Sequence, residues 1–215
     1  MKIMKSTITK GLATLAAAFV LTGTAQALPS LQIYIPGSTY DAVTETWITT
    51  ATSFEVWVIA SEPMYGVQLT ASLGADEDPY AGTLDIGGAS YSGADFTNGA
   101  HDLLAPHGVF PSDWVNHAVG DMTTMTANTI TNFDPDYDDG VTPFTQTGQI
   151  MVFNVTMTGF RNVHFDAWGY DGRDMFNFAP FSHDAGSAVP EPATALLLTL
   201  GAAGMGVVRK FRKKN

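Results

Sequence analysis

The sequence requires the fold of this chain to be complete before Val189. There, Val189-Pro190-Glu191-Pro192 forms an extended break, because two prolines fix φ, remove backbone donors and push their predecessors out of the α region. No helix runs through it. Ala193 to Val208 follows without a single charge, and Arg209 to Lys214 then supplies five cations. Only Thr194 and Thr199 are polar in the uncharged run, so it lacks the polar face of a helix packed on a soluble core. As a helix it would rise about 24 Å, short of a hydrocarbon layer of about 30 Å, with the flanking cations reaching out to the headgroups. The basic end is expected in the cytoplasm, which puts everything before Pro190 outside.

The opposite end carries the complementary device. Lys2, Lys5 and Lys10 precede an apolar stretch from Leu12 to Leu21, and Ala25-Gln26-Ala27 is a small-x-small cleavage site, so residues 1–27 read as a signal peptide for a Sec-type export machinery. The chain has no cysteine, which rules out a lipoprotein anchor and disulfides alike. Val189-Pro190-Glu191-Pro192-Ala193-Thr194, the short Leu/Gly-rich segment 193–208 and the basic end 209–214 together resemble the PEP-CTERM sorting signal. That resemblance covers the tail 189–215. It implies recognition at Pro190, Glu191 and Pro192 by an exosortase-like processing enzyme. It also implies a protein anchored in the inner membrane before processing and then placed at the cell surface or outside the cell.

Between the two signals, residues 28–188 form one exported domain with 20 acids against only Arg161 and Arg173, a formal charge of about −18. Nucleic acid is thereby excluded as a partner, since binding a phosphate backbone needs a cationic footprint. Short β-branched and aromatic runs separated by Gly, Ser, Thr and Asn predict an all-β domain. Leu31 to Ile35, Trp47 to Thr50, Ser53 to Ile59 and Tyr65 to Leu73 alternate as strands and suggest a meander. In the third, Phe54, Val56 and Val58 share one face, and Glu55 is expected in water. Gly74 to Gln146 predicts long loops and short edge strands. Gln149 to Thr158 and Val163 to Trp168 read as a hairpin turning at Gly159 to Asn162. The architecture expected is a two-sheet β-sandwich, jelly-roll or cohesin-like. Ser53 to Leu73, with Tyr65-Gly66-Val67, resembles the opening of cohesin-like sandwiches. The Leu28-Pro29-Ser30-Leu31 start and Pro180-Phe181-Ser182-His183-Asp184 end resemble "choice-of-anchor" families, which have no established activity.

The chemistry-bearing candidates are few. Asp134, Asp136 and Asp138, with Gly140 following, place carboxylates at alternate positions as a Ca²⁺ loop does, although Asp139 replaces the EF-hand glycine and Thr145 its last glutamate. A solvated acidic turn is the competing reading, and Asp76-Glu77-Asp78 reads as such a turn. His101, His107 and His117 lack zinc-motif spacing. No nucleophile elbow, cysteine nucleophile or phosphate-cradling loop is present. Of the four tryptophans, Trp114 beside Pro111, Ser112 and Asp113 is expected to be exposed and available for sugar stacking. These observations point to a non-enzymatic surface or extracellular-matrix protein. A carbohydrate-binding module or glycan-active enzyme, with extracellular polysaccharide as partner, is the alternative. With no lysine or arginine between Leu28 and Phe160 to offset the three aspartates, millimolar Ca²⁺ is expected to raise the melting temperature. Asp136→Ala should remove most of that rise in a calcium-dependent thermal melt.

Overall fold

A computed structural model describes residues 28–41, 43–44, 46–104, 112–131, 145–179 and 184–188. These residues are all-β, with one 3₁₀ turn at Gly93–Asp95 and no α-helix. One sheet contains β1 (Leu31–Tyr34), β4 (Ser53–Ala60), β11 (Thr145–Thr158), β6 (Thr83–Ile86) and β7 (Ala89–Tyr91) in that order, with β10 (Asn128–Thr131) also paired to β11. The second runs β2 (Thr39–Asp41), β3 (Thr46–Thr49), β14 (Asp184–Ala188), β12 (Asn162–Asp171), β5 (Met64–Leu73), β9 (Ser112–Met122) and β8 (Thr97–Gly99), with β13 (Phe176–Phe178) on β12. All pairings are antiparallel except β3 with β14. Among the described residues no helix is long and apolar enough to cross a membrane. The expected signal peptide 1–27 and the expected transmembrane segment 193–208 lie outside those residues.

The two-residue period of the sequence decides which side chains meet between the sheets. Val56, Val58 and Ala60 of β4, with Val155 and Met157 of β11, face Val67, Leu69, Ala71 and Leu73 of β5 and Val163, Phe165 and Ala167 of β12 in one buried core. Phe54 of one sheet meets Phe165 of the other edge to face at 6.0 Å. The alternate residues of β4 also follow expectation. Glu55 is exposed and accepts a bond from Trp57 Nε1 at 3.0 Å. Ile59, however, is buried with Leu28 and Ile130 in a smaller cluster on the outer face of the first sheet, flanked by Tyr34, Trp57 and Ile150.

The strand order corrects three expectations. β4 and β5 belong to different sheets, so the early strands are no meander, and β11 and β12 do not pair as a hairpin. The reason lies in the turn between β11 and β12. Gly159 has φ +82°, a Cβ there would lie 2.3 Å from Ala81 O, and Phe160 is driven into the core against Phe96. A turn pinned under the interior carries the chain across the layers rather than back along its own sheet. Glu77 fastens it, with Oε1 accepting the Arg161 and Asn162 amides at 3.1 Å each and standing 3.4 Å from Arg161 Nε. The expected loop-rich middle instead contains β9, eleven residues long and paired to both β5 and β8. Its polar Asp113, Asn116, His117 and Gly120 mask the period that marks the other strands.

Candidate functional site

The outward face of the second sheet carries a polar grid written by strand register. His164 of β12, Ser72 of β5 and Trp114 of β9 lie in one row, with Asp166, Thr70 and Asn116 in the next and Trp168, Gln68 and Ala118 in the third. An outward face is ordinarily wet, yet Thr70, Ser72 and Asp166 are buried. A roof explains it. The segment after β8 brings His101 over the grid, its ring centroid 4.3 Å from that of Trp114 and 5.9 Å from that of Trp168. His101 Nδ1 accepts the backbone amides of Leu103 and Leu104 at 3.2 and 3.1 Å, which folds the segment down and leaves the ring proton on Nε2.

Beneath the roof, Trp168 Nε1 donates to Thr70 Oγ1 at 2.9 Å, and Thr70 Oγ1 donates to Asn116 Oδ1 at 2.5 Å. His164 Nε2 stands 3.4 Å from Asp166 Oδ1, and that carboxylate is wholly out of water. Trp114 Nε1 and Ser72 Oγ are buried donors with no hydrogen-bond partner among the described residues. Burial holds the His101 pKa below the ordinary histidine value, although Asn116, Asp166 and Asp102 pull the other way. On the opposite face, between the sheets, His117 sits 2.8 Å from Tyr91 Oη and edge-on to Phe153. Burial lowers its pKa too. Among the described residues no three His, Asp or Glu side chains gather as a metal site.

Further along the same face the cover ends and aromatics emerge. Trp168 lies opposite Phe178, Tyr170 opposite Phe176, and Tyr170 again opposite Tyr65, giving a strip of rings 5.7 to 6.2 Å apart along β12 and β13. Tyr65, Tyr170 and Phe178 are exposed, as is Met175 in the adjoining turn. That turn is braced by Asp171, whose Oδ1 accepts the Arg173 and Met175 amides and whose Oδ2 pairs with the Arg173 guanidinium at 2.8 Å. Those two amides, more than the guanidinium, hold the Asp171 carboxyl below its usual range. Both arginines of the exported domain are therefore committed to carboxylates at turns.

At the other end of the sheet lies β14, the last strand among the described residues, whose last residue, Ala188, pairs with Asn162. Residues 188–213 match the PEP-CTERM protein-sorting motif. The PEP-CTERM match bears out the resemblance of the tail and indicates an exported protein held at the membrane before processing. It does not extend to the choice-of-anchor likeness of the domain. A comparison with curated proteins gives no match. A solved structure, the human F-spondin reeler domain (fragment 2), is similar over 82% of this chain and 97% of its own at 14% identity, with a TM-score of 0.31.

The residues singled out in the sequence fall apart in space. Trp114 is half-buried on β9 against His101, not exposed on a loop, because its flank of Ser112 and Asp113 belongs to a strand. His101 and His117 lie on opposite faces of one sheet, and His107 lies outside the described residues. So do Asp134, Asp136 and Asp138, Ala25 and Ala27, and Pro190, Glu191 and Pro192. Asp76-Glu77-Asp78 lies in a turn as expected, with Asp78 Oδ1 accepting the Tyr80 amide, but Glu77 is not solvated: its side chain is buried on the Arg161 and Asn162 amides. The grid itself was half visible in the sequence, since His164, Asp166 and Trp168 alternate on one face. Its roof comes from a distant segment and left no local pattern.

His101 gives this cluster a pH dependence of known sign. A histidine whose folded pKa is depressed stabilises the fold fully above the unfolded value of about 6.5, and that contribution is lost as pH falls through the lower folded value. Protonating Nδ1 also removes the acceptor for two amides. Asn at this position keeps an acceptor for those amides but does not titrate. His101→Asn is therefore expected to lessen the loss of stability between pH 7.5 and pH 5 in urea titrations. His117, whose pKa burial also lowers, contributes to the loss that remains.

Proposed function

We propose that this chain is a non-enzymatic surface or extracellular-matrix protein, exported by its signal peptide and sorted and processed through its C-terminal PEP-CTERM tail. The observation that carries the reading is the sorting motif at 188–213, directly after the last strand of the domain. In this reading Ala27 ends the cleaved leader, 193–208 holds the chain in the inner membrane with 209–214 inside, and an exosortase-like enzyme recognises Pro190, Glu191 and Pro192. The two-sheet domain is then the delivered structure. Changing both Pro190 and Pro192 to alanine should leave export intact and stop processing, so that full-length protein collects in the membrane. Normal release of the double variant, judged by the mass of the secreted form, would refute the sorting reading.

A second reading, polysaccharide binding, is favoured by the aromatic strip of β12 and β13. Exposed Tyr65, Tyr170 and Phe178 offer apolar ring faces, with Gln68 supplying an amide in the row of Trp168, and the acidic domain would repel an anionic chain. A neutral glycan is the occupant that fits. The rings are tilted against one another by 41 to 83°, which suits a kinked polymer better than a flat crystalline one. Pull-down on neutral insoluble glycans should retain the exported protein, and Tyr65→Ala with Tyr170→Ala should weaken retention about tenfold or more, given 1–3 kcal/mol per stacking ring. Equal retention of the double variant would remove this reading.

A further inference from the structure

β14 is an unusual interior strand. It is flanked on both sides, antiparallel to β12 from Phe165 to Asn162 and parallel to β3 from Thr46 to Thr49. Yet its sequence is Asp-Ala-Gly-Ser-Ala, without one large apolar side chain. Each buried methylene contributes about 0.8 kcal/mol, so a strand this poor in side-chain carbon is held almost wholly by its backbone ladders. Gly186 has no room for more, since a Cβ there would lie 3.1 Å from Val163 O. Ser187 is buried and donates from Oγ to Ala51 O at 3.0 Å. The ladder to β3 joins segments nearly 140 residues apart, the kind of pairing that forms late.

The tail motif begins where this strand ends. Val189 alone separates Ala188, the last paired residue, from Pro190. At about 3.3 Å per residue, Pro190 can reach no more than about 7 Å beyond that pair. From Ala188 to Ala193, where the uncharged segment starts, the chain spans at most about 18 Å, of which the headgroup layer takes about 5 to 7 Å. The end of β14 adjoins folded chain on both sides: Ala188 pairs with Asn162, which follows the turn clasped by Glu77, and Ser187 pairs with Thr49 and donates to Ala51 O. An enzyme that grips an extended peptide needs about 5 Å to each side for backbone partners and about 10 Å above and below for its own layers. With the strand seated, those spaces would have to be found within about 7 Å of it, beside the clasped Gly159 to Arg161 turn.

We infer that the processing enzyme acts on chains in which β14 is out of the sheet, so that processing and the closing of β14 compete. This rests on the reading that the tail is processed at or near Pro190 to Pro192. Seating β14 first withdraws the motif and prolongs membrane attachment. Processing first frees the strand to close the sheet in the released protein.

The test uses the full chain in a processing-competent host. Val163→Cys with Ser187→Cys places two cysteines at directly opposed positions of β12 and β14 in a protein with no other cysteine. Oxidised, the pair locks β14 in place. Processing of the locked form is expected to slow at least tenfold relative to its reduced form, and to recover when a flexible ten-residue Gly/Ser linker separates Ala188 from Val189. Equal rates for locked and reduced forms at native spacing overturn the inference. Should the cysteine variant not fold, the linker alone in the unsubstituted domain is expected to speed processing at least threefold, and an unchanged or slower rate overturns it. The double proline variant, run in parallel, separates the two ideas: if it is processed normally the sorting reading fails, whatever the lock does.

Discussion

The carboxylate of Glu77 joins two of the places where the chain leaves one sheet for the other. It sits in the β5 to β6 connection and binds the amides that open β12 after the β11 to β12 turn. Its side chain is almost wholly buried, and hydrogen bonds to a charged acceptor are worth about 1.5–3 kcal/mol each. Several other turns of the domain are anchored by carboxylates in the same way. Asp41 accepts the Val43 amide, Asp95 that of Ser92, Asp121 that of Gly66, and Asp171 those of Arg173 and Met175. With Asp78, which accepts the Tyr80 amide, six acids among the described residues serve backbone N–H groups in this way. Repulsion between neighbouring acids is offset locally, turn by turn, rather than by ion pairs across the surface.

Period-two alternation made β1, β4, β5, β11 and β12 legible as strands, because each has one face in the shared core and hydrophobicity records that face. Sheet membership was not legible. Ser53 to Ala60 and Met64 to Leu73 read as neighbours by their patterns, and only the crossing at Ser61 to Pro63 sends them to different layers. β9 was hidden for a different reason. Trp114, Asn116 and Ala118 face the roofed grid, while Val115 and His117 face the core, so neither face is uniformly apolar or polar. The roof depends on a backbone turn closed by a histidine nitrogen, a bond between residues that no periodicity connects.

The domain is also polarised end to end. β12 begins at Asn162, beside the exit of the chain toward the tail, and finishes at Asp171, where the exposed rings cluster with Met175 and Phe178. A chain held by its tail would therefore carry its aromatic end away from the bilayer, with the roofed polar grid between. The start of the sorting motif and the exposed rings thus lie at opposite ends of one strand.

Residues 28 to 30 are built into the fold as firmly as β14. Leu28 is buried with Ile59 and Ile130, the Pro29 carbonyl accepts from Ser61 Oγ, and the Ser30 carbonyl accepts the Ser61 amide. With β14 closing the other terminus inside a sheet, neither end of the exported domain is a neutral place to attach anything. An epitope or dye meant to follow the protein through export belongs instead in the turn between β2 and β3. There Val43 is 92% exposed, and no core contact would be displaced.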